Sequence, residues 1–299
     1  MANTIIYQAL WENKLAQRLD KPQNWKEVCD VVYTDTQTYN FPLIATTGEP
    51  AVATLTNTAA GRSTLSNVIP FVDVTITNET LSIVTAEIDS VYIDFADQAQ
   101  SNYAKLAEMG TLLGKKINER AETVVLANHA NWTNFGDTGG GVLGLASTAI
   151  TVSASNIDDI VRGVIEQIYT ANGFNLYKEN GGFVVWRPSD WTLMTQFMQA
   201  NGFNLADKSL SNGATIGIDY LGLNHYVSTS HASGHVMAGV RGVQKFGILS
   251  STYGKIRAAD MPASSTAGSL SGTQIHTRLD YGLLVPTNLK PTLFDVNVA

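Results

Sequence analysis

The spacing of apolar residues changes along this chain, and the change marks its main boundary. Between Val72 and Phe95 the period is two. Val72, Val74 and Ile76 alternate with Asp73, Thr75 and Thr77, Asn78-Glu79 predicts a turn, and Leu81 to Ile88 returns. Val91, Ile93 and Phe95 continue the alternation with Tyr92 and Asp94. The period then becomes helical. Ala99, Tyr103, Leu106, Gly110, Leu113, Ile117, Ala121 and Val124 step by three or four into one stripe. That stripe predicts one helix over 97–126, roughly 45 Å long at 1.5 Å per residue. Ser101, Lys105, Glu108, Lys115, Glu119 and Glu122 lie mostly off the stripe. Gly110 and Gly114 each cost such a helix about 1 kcal/mol relative to Ala. They predict places where a neighbouring backbone comes close.

The segments around this unit are patterned differently. Residues 4–19 predict a short helix (Ile6, Leu10, Leu15, Leu19) ended by Lys21-Pro22. Residues 26–44 read as extended, with Val28, Val31, Val32, Tyr39 and Phe41. They hold too few apolar side chains for a core of their own, so they must lie on the body or on a neighbour. Residues 45–70 are rich in Thr, Ala, Asn and Gly and predict a long projecting hairpin or loop. Residues 136–144 form a glycine-rich loop, and 156–172 predict a helix. Ser155 or Asn156 is its cap, Asp158 and Asp159 occupy its first turn, and Gly173 stops it. Its buried face is Ile157, Ile160, Val161, Val164, Ile165 and Ile168. Phe183–Trp186 predicts a buried strand, Pro188-Ser189-Asp190 opens a helix to about Met198, and Leu221–Val227 and His235–Val240 predict strands. Residues 261–274 read as a low-complexity loop. Two alternating strands close the chain, one with Ile275, Thr277, Leu279 and Tyr281, the other with Phe294, Val296 and Val298. The whole is a mixed helix-and-sheet chain.

Composition narrows the function. Charged residues are 15% of the 299, against roughly a quarter in ordinary globular domains. A surface poor in charge suits a protein largely covered by neighbours. The net charge of -7 argues against nucleic-acid binding through phosphate contacts. The basic excess of Lys14, Arg18, Lys21 and Lys26 over Glu12 and Asp20 reads as a solvated helix face. The single cysteine, Cys29, permits no intrachain disulfide and reads as a buried inert thiol. No signal peptide and no membrane-spanning run is evident, so folding in a cytoplasm is expected.

Candidate chemistry is sparse. His225, His231 and His235 fall close together, and His231 and His235 have the H-x-x-x-H spacing. Ser233-Gly234 between them argues against the helix that would aim both at one metal. Gly139-Gly140-Gly141 with Gly144 lacks the Lys-Ser/Thr and the helix start of a phosphate loop. The pairs Asp94 with Asp97 and Asp158 with Asp159 sit at helix starts, where the dipole accounts for them. Trp186 and Trp191 read as core or interface anchors. A hydrolase built on Asp94 or His231 has no specific support. No catalytic, cofactor or metal residue is expected.

The strands running into a long helix in VDVTITNETLSIVTAEIDSVYIDFADQAQSNYAKLAEMGTLLGKKINERAETVVL carry a resemblance. So do FVVWRPSDWTLMTQF, IGIDYLGLNHYVSTS and HVMAGVRGVQKFGI in that order. The chain resembles the major capsid protein of tailed bacteriophages, the Hong Kong 97-type fold. That resemblance implies an α+β subunit. Its parts would be an N-terminal arm (1–40), an extended loop and strands (41–90), a peripheral domain with a spine helix (91–131 and 246–299) and an axial domain (132–245). It implies assembly through pentamers and hexamers into an icosahedral shell around double-stranded DNA, in a virion assembled in the host cytoplasm. A separate scaffolding protein, a portal and a decoration protein are the partners implied. The alternative is an encapsulin-type compartment enclosing cargo enzymes. Some members of the family weld subunits through a lysine in the extended loop. No lysine lies between Lys26 and Lys105 here, so a non-covalent shell is expected.

Overall fold

A computed structural model describes residues 23–44, 76–94, 105–201, 218–261 and 272–299. The predicted 4–19 helix, Lys14, Arg18 and Lys21 of the basic N-terminal face and the 45–70 loop lie outside these residues. So do Asp97 and the first part of the predicted long helix. Lys26 lies exposed in the first helix. Helix α1 (Trp25–Val28) is one turn. Strands β1 (Asp30–Thr34) and β2 (Thr38–Ile44) follow, then β3 (Ile76–Ser82) and β4 (Thr85–Asp94). Helix α2 (Lys105–Ala127) is the long helix, continued by a 3₁₀ turn at Asn128–Asn131. Strands β5 (Thr133–Asp137) and β6 (Leu143–Gly144) lead to helices α3 (Ile157–Thr170) and α4 (Phe174–Asn180). Strand β7 (Gly182–Trp186) and helix α5 (Pro188–Ala200) come next. The remaining strands are β8 (Ile218–Tyr220), β9 (Leu223–Val227), β10 (His235–Val240), β11 (Lys245–Leu249), β12 (Ile256–Met261), β13 (Gly272–Leu284) and β14 (Leu293–Asn297).

Among the described residues three sheets result. A seven-stranded sheet runs β6-β5-β14-β10-β7-β9-β8. A five-stranded sheet is organised on β13, which pairs antiparallel with β4 over ten residues on one side and with β12 and β11 on the other. Strand β1 completes it, parallel to β11. The third is the two-stranded ribbon β2-β3, paired from Thr38↔Ser82 to Ile44↔Ile76.

One apolar core joins the two larger sheets. It takes Ile117, Ala121, Val124, Val125 and Leu126 from α2, Phe246 and Leu279 from the five-stranded sheet, and Val184, Trp186, Val236 and Phe294 from the seven-stranded one. Helix α3 buries Ile157, Ile160, Val161, Val164 and Ile168 on it, as its spacing predicts. Residues 25–34 do not simply lie on this core. Trp25 and Val28 are among its most buried members, and Trp25 meets Phe246 edge-on with ring centres 5.4 Å apart. Residues 38–44 pair only with β3 among the described residues.

Several local expectations need correction. Strand β3 runs through Asn78-Glu79, and the turn falls at Ile83-Val84. A turn-forming pair inside a ribbon is overridden because Leu81 and Ile83 are buried, at 0% and 5% exposure. Asn156 holds the N-cap position of α3, yet its side chain turns back. Its Oδ1 accepts from the Ser153 N–H at 2.8 Å, and its Nδ2 donates to the Thr151 carbonyl. Gly110 of α2 faces the Ile256 side chain rather than a backbone, and Gly114 faces open space. The predicted 261–274 loop is invaded from both ends, by Met261 of β12 and by Gly272 at the start of β13.

The β3–β4 turn crosses the five-stranded sheet where two glycines face each other, Gly247↔Gly282. A Cβ on Gly282 would lie 2.1 Å from the Ser82 carbonyl oxygen, and one on Gly247 would lie 2.6 Å from Leu81 Cδ2. A side chain at 282 must push backbone aside, a strain in the range of about 1–3 kcal/mol or more. Gly282→Ala is therefore expected to lower the thermal unfolding midpoint by several degrees. Gly114→Ala, which meets nothing and removes a mid-helix glycine, should raise it. Calorimetry of the two variants beside the parent checks both signs.

Candidate functional site

Pockets with convergent catalytic groups are not what the described surface offers. What stands out is exposed apolar surface on strands and helix ends, and a few polar clusters buried between elements. On β4 the alternation is resolved by helix α2. Glu87 and Asp89 face the helix, where Arg120 forks onto Glu87 (Nε–Oε2 2.5 Å, Nη2–Oε1 2.6 Å) and Lys116 lies 3.6 Å from Asp89. The Arg120 hydrogen bonds hold the Glu87 carboxyl below its ordinary pKa. On the even-numbered face of β4, Ile88 is 61% and Tyr92 41% exposed. Val84 in the turn, Ile76 and Tyr39 in the ribbon and Ile256 on β12 are exposed as well. A second apolar group lies far along the chain fold. Tyr169 and Phe174 are exposed in edge contact at 5.5 Å, and exposed Leu221 is held by the Tyr177 hydroxyl, which donates to its carbonyl.

The C-terminal end of α2 is the most polar part of the interior. Gln244 is fully buried and joins three elements. Its Oε1 accepts from Trp132 Nε1 at 2.7 Å and Asn128 Nδ2 at 3.1 Å, and its Nε2 donates to the Val125 carbonyl at 3.1 Å. That carbonyl belongs to the last turn of the helix, whose acceptors have no partner within it. Nearby, Glu122 is also fully buried, contrary to its expected place off the stripe. The last turns of α2 are covered on a second side by α1 and by the Ser228 loop, so the apolar stripe no longer defines what is inside. Burial raises the Glu122 pKa to about 7, while the Ser228 hydroxyl (2.9 Å) and the N–H groups of Trp25 and Asn24 pull it down.

The sequence candidates are scattered. His225 is buried and its Nδ1 accepts from Trp186 Nε1 at 2.7 Å. His231 sits in the turn ahead of β10 beside the Ala232 carbonyl, and burial holds its pKa below the ordinary value. The H-x-x-x-H pair does not converge, because His235 points to a different group. Its Nδ1 lies 2.8 Å from Asp295 Oδ1, and His129 Nδ1 lies 3.0 Å from Asp295 Oδ2. Neither His129 nor Asp295 carries a local sequence signal, since the three residues are 60 or more positions apart. Gly139-Gly140-Gly141 makes an exposed turn with positive φ throughout, but Asp137 Oδ1 accepts from the N–H groups of Gly139 and Gly141 that an anion would need. Asp94 ends β4 in the five-stranded sheet, whereas His231 precedes β10 in the other. Asp158 and Asp159 lie in the first turn of α3, facing Arg162. Trp186 is a core residue. The Cys29 thiol is buried, donates to the Trp25 carbonyl and has its pKa pushed up by desolvation. No helix among the described residues is long and apolar enough to cross a membrane.

No protein-family model and no curated protein matches the sequence. Solved structures do. A structure from Mycobacterium phage Che8 matches 99% of this chain with 98% of its own, at a TM-score of 0.64 and 14% identity. The capsid of a native GTA particle matches 97% with 95% of its chain (TM-score 0.64, 11% identity). The asymmetric unit of the mature capsid of bacteriophage PhiM1 matches 98% with 92% (TM-score 0.59, 12% identity). The chain has the phage-capsid fold. Within that fold the exposed apolar residues of β4 and of the β2-β3 ribbon belong to strands with an unpaired edge among the described residues.

Glu122 gives a pH signature independent of assembly. Its folded pKa of about 7 stands above the ordinary carboxyl value, so the folded state holds the proton more tightly than the unfolded one. The stabilising contribution is full below the ordinary carboxyl range and is lost as pH rises toward and through 7. Glu122→Gln cannot ionise and keeps an acceptor for Ser228. Thermal unfolding at pH 5 and pH 8 should show the variant gaining several degrees on the parent at the higher pH. An equal difference at both pH values would contradict a buried ionisable carboxyl.

Proposed function

We propose that this chain is a major capsid protein of the tailed-phage type. It is a structural subunit and not an enzyme. It self-assembles through pentamers and hexamers into an icosahedral shell around double-stranded DNA, built in the host cytoplasm and carried in the virion. The observation that carries this reading is end-to-end agreement with chains of the PhiM1 and GTA capsids, more than nine-tenths of each chain in both directions. The reading assigns residues 1–40 to an arm, 41–90 to the extended loop and its strands, 91–131 and 246–299 to the peripheral domain with its spine helix, and 132–245 to the axial domain. Portal, scaffolding and decoration proteins are its expected partners.

The physics of the subunit supports it. A two-stranded ribbon is marginal in water on its own, and unpaired strand edges beside exposed Ile76, Val84, Ile88 and Tyr92 invite another surface. Closed symmetric assembly supplies that surface. The net charge of -7 fits a wall that encloses DNA without gripping it.

Negative-stain microscopy and light scattering of the purified protein test the reading. Hollow icosahedral or tubular particles are expected, with scaffold supplied where needed, and a stable monomer under all such conditions contradicts it. Cargo enzymes in place of DNA within particles isolated from cells would turn the assignment to an encapsulin-type compartment. The absence of lysine between Lys26 and Lys105 predicts that boiled particles run as monomers on a denaturing gel, without ladders. Ile88→Asp places a charge on a face exposed in the single chain, so it should leave the subunit folded while lowering particle yield at least tenfold.

A further inference from the structure

We infer that His129, His235 and Asp295 form a binding site for a zinc-class divalent metal ion, clamping the end of the long helix to the seven-stranded sheet. This inference stands on the residues themselves and does not depend on the shell reading. The three come from different elements. His129 lies in the 3₁₀ turn that continues α2, His235 opens β10, and Asp295 is in the middle of β14. Strand pairing sets two of them on one face. His235 is opposite Asn297, and Asp295 is two residues back from Asn297 on the same strand. His129 reaches that face from the turn above, its ring 4.5 Å from that of His235.

The donor set suits such an ion. Each carboxylate oxygen of Asp295 faces one imidazole Nδ1, at 2.8 and 3.0 Å. The ligand atoms of the three side chains lie within 4.8 Å of one another. Around a tetrahedral ion with bonds of about 2.0–2.1 Å, ligand atoms stand about 3.3 Å apart, so small side-chain shifts suffice. Two imidazoles and one carboxylate favour zinc or another first-row ion over calcium or magnesium, which take oxygen ligands. Two further observations point to a missing partner. His129 Nδ1 is buried and, although near Asp295, is out of line for a hydrogen bond. The Nδ2 of Asn297 on the same face is also buried without a partner, and it could donate to a water in the fourth coordination position. The side chains are largely shielded, at 12%, 26% and 5% exposure for His129, His235 and Asp295, which leaves His235 on the side open to solvent for the ion to enter. Such an ion would fasten the helix end and the C-terminal strand to each other as a clamp, with no covalent bond needed.

The test uses untagged full-length protein stripped with a chelator and then titrated by calorimetry with Zn2+, Co2+ and Mg2+. One Zn2+ per chain with micromolar or tighter affinity is expected, with a rise of several degrees in unfolding midpoint, visible absorption typical of tetrahedral Co2+, and no response to Mg2+. His235→Gln, at the most exposed of the three positions, and Asp295→Asn should each weaken Zn2+ at least tenfold. His276→Gln, on β13 of the other sheet, should leave it unchanged. Absence of stoichiometric Zn2+ binding by the parent protein would overturn the proposal, as would equal binding by the parent and His235→Gln.

Discussion

The joint at the C-terminal end of the long helix holds the subunit together. Helix ends leave carbonyls without partners, and here that end is buried between two sheets, where water cannot serve them. Gln244 solves the problem by donating to the Val125 carbonyl while its own amide oxygen takes the Trp132 indole and Asn128. Its backbone carbonyl accepts from the Asp30 N–H, which starts β1 alongside β11. One side chain thus ties the helix, the five-stranded sheet and the chain leading into the seven-stranded sheet. A buried amide that satisfies several groups at once fixes geometry in a way that apolar contact does not. Glu122, Ser228 and the start of α1 extend the same joint, and Arg241 with Glu27 and Lys245 with Asp30 close it from outside.

Everything beyond that joint is less self-sufficient. Strand β4 is held on one edge by β13 and on one face by α2, where Arg120 and Lys116 pair with Glu87 and Asp89. Its other face exposes Ile88. The β2-β3 ribbon touches the body through the buried Leu81 and Ile83, which cross the sheet at the facing glycines 247 and 282. A chain that encloses its own core so well at one end and leaves apolar strands uncovered at the other fits a subunit completed by its neighbours. Low charge content is in keeping with that reading, because a surface covered by neighbours need not be highly solvated.

Much of this was legible in the sequence where local pattern and burial agree. The period of 3.6 in α3 and the apolar runs of β7 and β10 were read with nearly the observed bounds, as was the C-terminal end of α2. So was the phage-capsid likeness, from the order of elements. Local signals misled where tertiary contact outweighed them. Asn78-Glu79 looked like a turn, yet burial of Leu81 and Ile83 carries β3 through it. Glu122 looked solvated because the stripe rule treats a helix as covered on one side, and its end is covered on two. The residues that act together at a distance were not legible at all. His129 and Asp295 are separated by most of the second half of the chain, and only the pairing of β10 with β14 beside the end of α2 brings them together. The histidine spacing that the sequence did offer, His231 with His235, leads to two separate surroundings.

The central claim is that the exposed strand faces are covered by other copies of the same chain. Hydrogen–deuterium exchange, followed by mass spectrometry on assembled particles and on dissociated subunits, tests it most directly. Peptides covering β3 and β4, residues 76–94, should exchange many times more slowly in the particle, while those covering β7 and β10 in the core should be equally protected in both. Equal exchange of residues 76–94 in the two states would mean that assembly leaves these strands uncovered, and would contradict the account.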